Sequence, residues 1–137
     1  MTAIRPTSFI ITLALILAAV TAGPAVAQYS FDWEITWQGA VKDMLILEDF
    51  TTDFTNTSAV TDSFRVTLVK DMPVTWQATI CVGPLCYPPT ITERDFTLGP
   101  GESISLDFAI TAAAVEGTGS SVVTLESLSD PAVTETN

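Results

Sequence analysis

Hydrophobic and polar residues alternate along most of this chain with a period of two, the repeat of a strand with one face in a core and the other in water. The run from Tyr29 to Trp37 is the clearest case. Tyr29, Phe31, Trp33, Ile35 and Trp37 share one parity, and Ser30, Asp32, Glu34 and Thr36 share the other. A helix, repeating every 3.6 residues, does not sort side chains in this way. A longer β-rich stretch runs from about Met44 to Phe54 and stops at the turn-forming trio Asn56-Thr57-Ser58. Phe64, Val66 and Leu68 then alternate with Arg65, Thr67 and Val69 until Asp71-Met72-Pro73 ends the strand, because proline has no N–H to give a ladder. Thr75 to Val82 reads as a fourth strand, Gly83 to Thr90 with its three prolines as a loop, Ile91 to Leu98 as a fifth strand and Gly99-Pro100-Gly101 as a strong turn. Ile104, Leu106, Phe108 and Ile110 alternate with Ser103, Ser105, Asp107 and Ala109. Val122 to Leu128 and a weaker Ala132 to Thr136 follow, separated by Asp130-Pro131.

Ala112 to Val115 is the one segment of helix-favouring composition, and it is too short to nucleate a helix. Seven or eight short strands, broken by turns about every 10 residues and joined by no crossover helix, predict an all-β fold: a single antiparallel sandwich of immunoglobulin-like or fibronectin-III-like type. The last strand is expected to be short. It is read as a weak edge strand, as a truncated one, or as an edge left open to a strand from a partner.

The first 27 residues do not follow the alternation. Arg5 precedes a continuous apolar stretch from Phe9 to Val20, followed by Gly23-Pro24 and the small-residue triplet Ala25-Val26-Ala27. This is the layout of a secretory signal peptide, with cleavage expected before Gln28. The apolar stretch falls short of the roughly 20 residues a bilayer span requires. The expected organisation is a signal peptide over 1–27 and a sandwich domain over 28–137, exported to the periplasm, cell surface or medium, with no membrane insertion after cleavage.

The chain carries 16 acidic and 5 basic residues and no histidine, for a formal charge of −11. Without the leader, Lys42, Arg65, Lys70 and Arg94 are the only bases. A charge of this sign opposes a nucleic-acid groove, which needs clustered cations to displace counterions. The missing imidazole removes Ser-His-Asp and Cys-His nucleophile systems, His-liganded zinc and blue copper. No catalytic residue, metal site or cofactor is therefore assigned, and an enzyme is not expected. Glu48-Asp49 with Asp53, and Glu93 with Asp95, lack the spacing of a calcium loop and read as solvated acids. Asp32, Glu34 and Asp107 fall on the polar parity of their strands, where a solvent face belongs.

Cys81 and Cys86 flank Val82-Gly83-Pro84-Leu85. In an exported chain such a pair is expected to form a disulfide that pins one loop, contributing about 2 kcal/mol by loop entropy. The antibody-type bridge, which joins two distant strands, has different spacing. Asn56-Thr57-Ser58 also fits the Asn-x-Ser glycosylation pattern, although a turn accounts for it. The aromatic row of the first strand has two readings: the core face of an edge strand, or a stacking platform for sugar rings. Under the second, Trp33, Trp37 and Tyr87 are the candidate ligand-binding residues.

The ordered set Asn56-Thr57-Ser58, Pro73-Val74-Thr75-Trp76, Cys86-Tyr87-Pro88, Leu98-Gly99-Pro100-Gly101-Glu102-Ser103, Gly117 to Val123 and Ser129-Asp130-Pro131 resembles the Ig-like modules of bacterial secreted and surface proteins. The resemblance runs from about Phe50 to Asn137. It implies a non-catalytic sandwich used as a spacer, accessory or adhesion module, whose partner is a protein or a glycan at the cell surface or outside the cell.

Overall fold

Period-two alternation places one row of each strand in a common core, and two sheets facing each other bury both rows at once. The computed structural model describes residues 28–34, 39, 45, 47–113 and 115–137. The predicted leader, Trp37 and the expected start of the second strand near Met44 lie outside the described residues. Within them the strands are β1 (Phe31–Trp33), β2 (Leu47–Asn56), β3 (Asp62–Asp71), β4 (Gln77–Val82), β5 (Leu85–Cys86), β6 (Glu93–Leu98), β7 (Ser103–Thr111), β8 (Ser120–Ser127) and β9 (Thr134–Thr136). Among the described residues the structure is all-β, in two antiparallel sheets. One has the order β1-β2-β7-β4-β5 and the other β6-β3-β8-β9.

The inward rows are those the alternation marks. Phe54, Phe64, Val66, Ile80, Leu106 and Leu125 are completely buried between the sheets. Phe31 and Phe54 from the first sheet meet Phe64 and Phe96 from the second, with ring centroids of the Phe54–Phe64 pair 4.8 Å apart at 70°. Edge-to-face contact of this kind adds about 1 kcal/mol per pair beyond the burial itself.

Two strand starts differ from expectation because a turn consumes residues that looked like strand, and one expected loop holds a strand. Trp76 N–H donates to the Pro73 carbonyl at 2.8 Å, so β4 begins at Gln77 rather than Thr75. Ile91 N–H closes a second turn on the Pro88 carbonyl at 2.8 Å, and β6 begins at Glu93. Gly83 to Thr90 is not wholly loop. Gly83 adopts a φ of +55°, the positive value that two-residue hairpins favour at their first central position, and Leu85–Cys86 returns as β5.

Candidate functional site

The candidate residues are dispersed by this topology. Trp33 lies at the end of β1, an edge strand, with its side chain turned inward and only 4% exposed. Its indole N–H is buried without a hydrogen-bond partner among the described residues. Of the two readings of this aromatic row, Trp33 sits as the core-face one has it, its ring closed into the core. Tyr87 follows β5, half-buried against the core, and the Arg94 guanidinium covers its ring at 4.2 Å from the centroid. One face is therefore already used by a cation–π contact.

Cys81 and Cys86 are joined by a disulfide across the β4–β5 hairpin. Val82 and Leu85 flank the two-residue turn, which leaves Cys81 and Cys86 as the next pair outward. Tyr87 N–H to Ile80 carbonyl then resumes the ladder at 2.9 Å. That alternation makes the cysteines a non-hydrogen-bonded pair, the position at which antiparallel strands approach most closely. On the other side Cys81 is in register with Asp107 of β7. A carboxylate beside sulfur opposes formation of a thiolate, which fits a structural bridge better than a reactive one.

The acids are spread rather than clustered. Asp49 and Asp53 share the outward face of β2, four residues and hence about 13 Å apart along the strand. Glu93 and Asp95 are held by Arg65 of β3. Its Nε and Nη2 donate to the two Asp95 oxygens at 2.7 and 3.0 Å, and Nε lies 3.3 Å from Glu93. Those hydrogen bonds hold the Asp95 carboxyl below the usual carboxylate range and raise the guanidinium above its own. Among the described residues no group of three or more His, Cys, Asp or Glu is arranged to hold a metal ion. A shallow depression of about 270 Å³ lies on the same sheet, lined by Asp32, Glu34, Asp53 and three threonines of β2.

Asn56, expected in a turn, and Asp62 are both buried. Asn56 ends β2 inside the sandwich, where its Nδ2 donates to the carbonyls of Val60, Leu98 and Gly99 at 2.9, 3.0 and 3.1 Å. Its Oδ1 accepts from the N–H and hydroxyl of Ser58. A glycan on this nitrogen is incompatible with the fold. Asp62 opens β3, accepting from the Ser127 hydroxyl at 2.6 Å and from the Ser63 N–H at 2.8 Å. Both burials have a signal in the sequence: Asn56 shares the parity of Phe54, and Asp62 that of Phe64.

The opposite end of the sandwich carries exposed apolar side chains. Val74 sits in the Pro73–Trp76 turn, 98% exposed. Beside it, a groove of about 450 Å³ is lined by Asp71, Met72, Pro73, Thr118, Gly119 and Ser120. Its wall requires glycine, since a Cβ on Gly119 would stand 2.7 Å from the Met72 Cβ and 3.2 Å from the Trp76 ring. Trp76 Nε1 donates to the Val115 carbonyl at 2.9 Å and so fastens the facing loop. From the groove the register runs on along β3 and β8 of the second sheet. Asp71 pairs with Ser120, and Val69, 61% exposed, pairs with Val122, 43% exposed, on the same outward face.

The molecule is thus a two-sheet antiparallel β-sandwich with a hairpin disulfide. Among its described residues no helix is long and apolar enough to cross a membrane. No protein family, curated protein or solved structure matches the chain.

Proposed function

We propose that this chain is an exported, non-catalytic Ig-like module whose work is contact: adhesion, protein–protein association, or support of a larger extracellular assembly. The strand order carries the reading. In an immunoglobulin constant-type sandwich the first, second, fifth and fourth strands form one sheet, and the third, sixth and seventh the other. Here β1-β2-β7-β4 and β3-β8-β9 stand in those places with all neighbours antiparallel, β5 extends the fourth strand as a hairpin, and β6 is added beside the third.

The leader-like first 27 residues and the disulfide support export. The outward rows are largely serine, threonine and acid, and the depressions among the described residues are shallow. A carbohydrate-binding role now has less to rest on, since Trp33 is enclosed and one face of Tyr87 is taken. The test is secretion followed by cross-linking. The full chain expressed in an exporting bacterial host should leave the cytoplasm with Gln28 as its first residue, and should cross-link to a discrete protein on cells of its source. Retention in the cytoplasm, or turnover of a glycan or peptide abolished by substituting one acid, would overturn the reading.

A further inference from the structure

Resting on the contact role proposed above, we infer that the groove between Asp71–Pro73 and Thr118–Ser120, with Val74, Val69 and Val122 around it, is the docking surface, and that its occupant is a cationic polypeptide segment bearing an apolar side chain. Three observations converge there. The first is apolar exposure beside the groove: isolated surface valines are ordinary, but here Val74 follows the lining residue Pro73, and the exposed pair Val69 and Val122 stands two residues along β3 and β8 from the lining residues Asp71 and Ser120. Val74 gains nothing for the fold where it is, at the tip of a turn that closes through backbone atoms alone.

The second is shape held in advance. Gly119 lies flat on Met72 and Trp76, Gly117 approaches Pro73 so that a Cβ would stand 3.3 Å from its ring, and the Trp76 to Val115 hydrogen bond ties the loop to the turn. A groove built before binding avoids much of the ordering cost that weakens contacts made by loose loops. The third is charge. Asp71 lines the groove, Glu116 precedes its lining residue Thr118 by two positions, and both are exposed without an ion pair among the described residues. The described cations are engaged elsewhere: Arg65 with Asp95, Lys70 Nζ with the Pro89 carbonyl at 2.6 Å, and Arg94 with Tyr87. A second copy of this chain would bring its own acid excess to the contact, whereas a segment with lysine or arginine beside an apolar anchor matches both Asp71 and the exposed valines.

The experiment selects phage-displayed random peptides against the full-length chain and maps the winners by amide chemical-shift perturbation. The expected winners are cationic with an apolar anchor, and shift the amides of Asp71, Val74, Gly119 and Val122. Val74→Asp and Asp71→Lys should each weaken their binding about tenfold, and Asp53→Lys on the other sheet should leave it unchanged. Equal loss with Asp53→Lys reduces the effect to general charge attraction and overturns the proposal. Winners that map to another face overturn this surface while leaving the contact role standing, and a chain that selects no peptide removes both. Concentration-dependent self-association lost in Val74→Asp would assign the groove to a second copy and overturn the cationic partner.

Discussion

The two ends of this sandwich are closed by opposite means. At the end where β2 stops and β3 begins, Asn56, Asp62 and Ser127 are buried and almost every polar atom they carry is spent on a neighbouring backbone or hydroxyl. Asp130 N–H extends the chain of bonds to the Ser127 hydroxyl at 3.0 Å, and Glu102 caps the Gly99 N–H at 2.8 Å. At the other end, where β3 stops and β4 begins, valines face water beside a groove. A buried polar network leaves little freedom, because any unpaired member bears its full desolvation penalty. An apolar rim can be altered at little cost to the fold. The first end therefore holds the sheets together, and the second is free to serve recognition.

Removing the hub of the polar end is the strongest challenge to that contrast. Asn56→Leu keeps the volume but leaves the Val60, Leu98 and Gly99 carbonyls without their donor. We expect a loss of about 3 kcal/mol in urea unfolding, or failure to fold. A loss within error would show that this end is not the rigid one. Ser127→Ala, which leaves a buried oxygen of Asp62 unpaired, should cost about 2 kcal/mol by the same measurement. Replacing both cysteines by alanine tests whether the hairpin belongs with the rigid end; the closed loop is short, and about 2 kcal/mol should be lost. Thiol titration of the denatured, unreduced exported protein should find no free thiol.

Acid provides a gentler probe. The folded carboxyl of Asp95 titrates below its unfolded value, so the stability it contributes is present above roughly pH 4 and is lost as pH falls through the lowered folded value. Because the Arg65 pair is exposed, the effect should be small. Comparing the acid limb of the stability curve in Arg65→Met and the parent isolates it, and identical limbs would refute the coupling. Val74→Asp should do least, moving stability by no more than about 0.5 kcal/mol. A larger loss would place Val74 in the fold rather than on a binding rim.

Much of the framework can be read from single residues. Phe64, Val66 and Leu68 announce β3, and Ile104, Leu106 and Phe108 announce β7, because a half-buried strand has to alternate. The same parity places Asn56 and Asp62 inside, although their chemistry suggests a turn and a surface. Polar identity was the weaker signal there, since burial requires partners that come from distant strands. β5 escapes the pattern because two residues are too few to show a period, and the starts of β4 and β6 shift because Pro73 and Pro88 accept turn hydrogen bonds that no hydropathy records. Trp33 shows the converse. Its row is legible, but whether that row faces water or core depends on the sheet above it.

Alternation, turn residues and cysteine spacing thus determine that this chain makes strands, where they break, and which cysteines meet, because these depend on neighbours within a few residues. The tertiary structure alone decides that Asn56 binds Leu98 and Gly99, that Arg94 covers Tyr87, and that Val69 is brought beside Val122 on the outward face. Apart from the Arg94–Tyr87 contact, these bring together residues about 40 to 50 positions apart, and their free energy exists only once the sheets have paired and excluded water from between them.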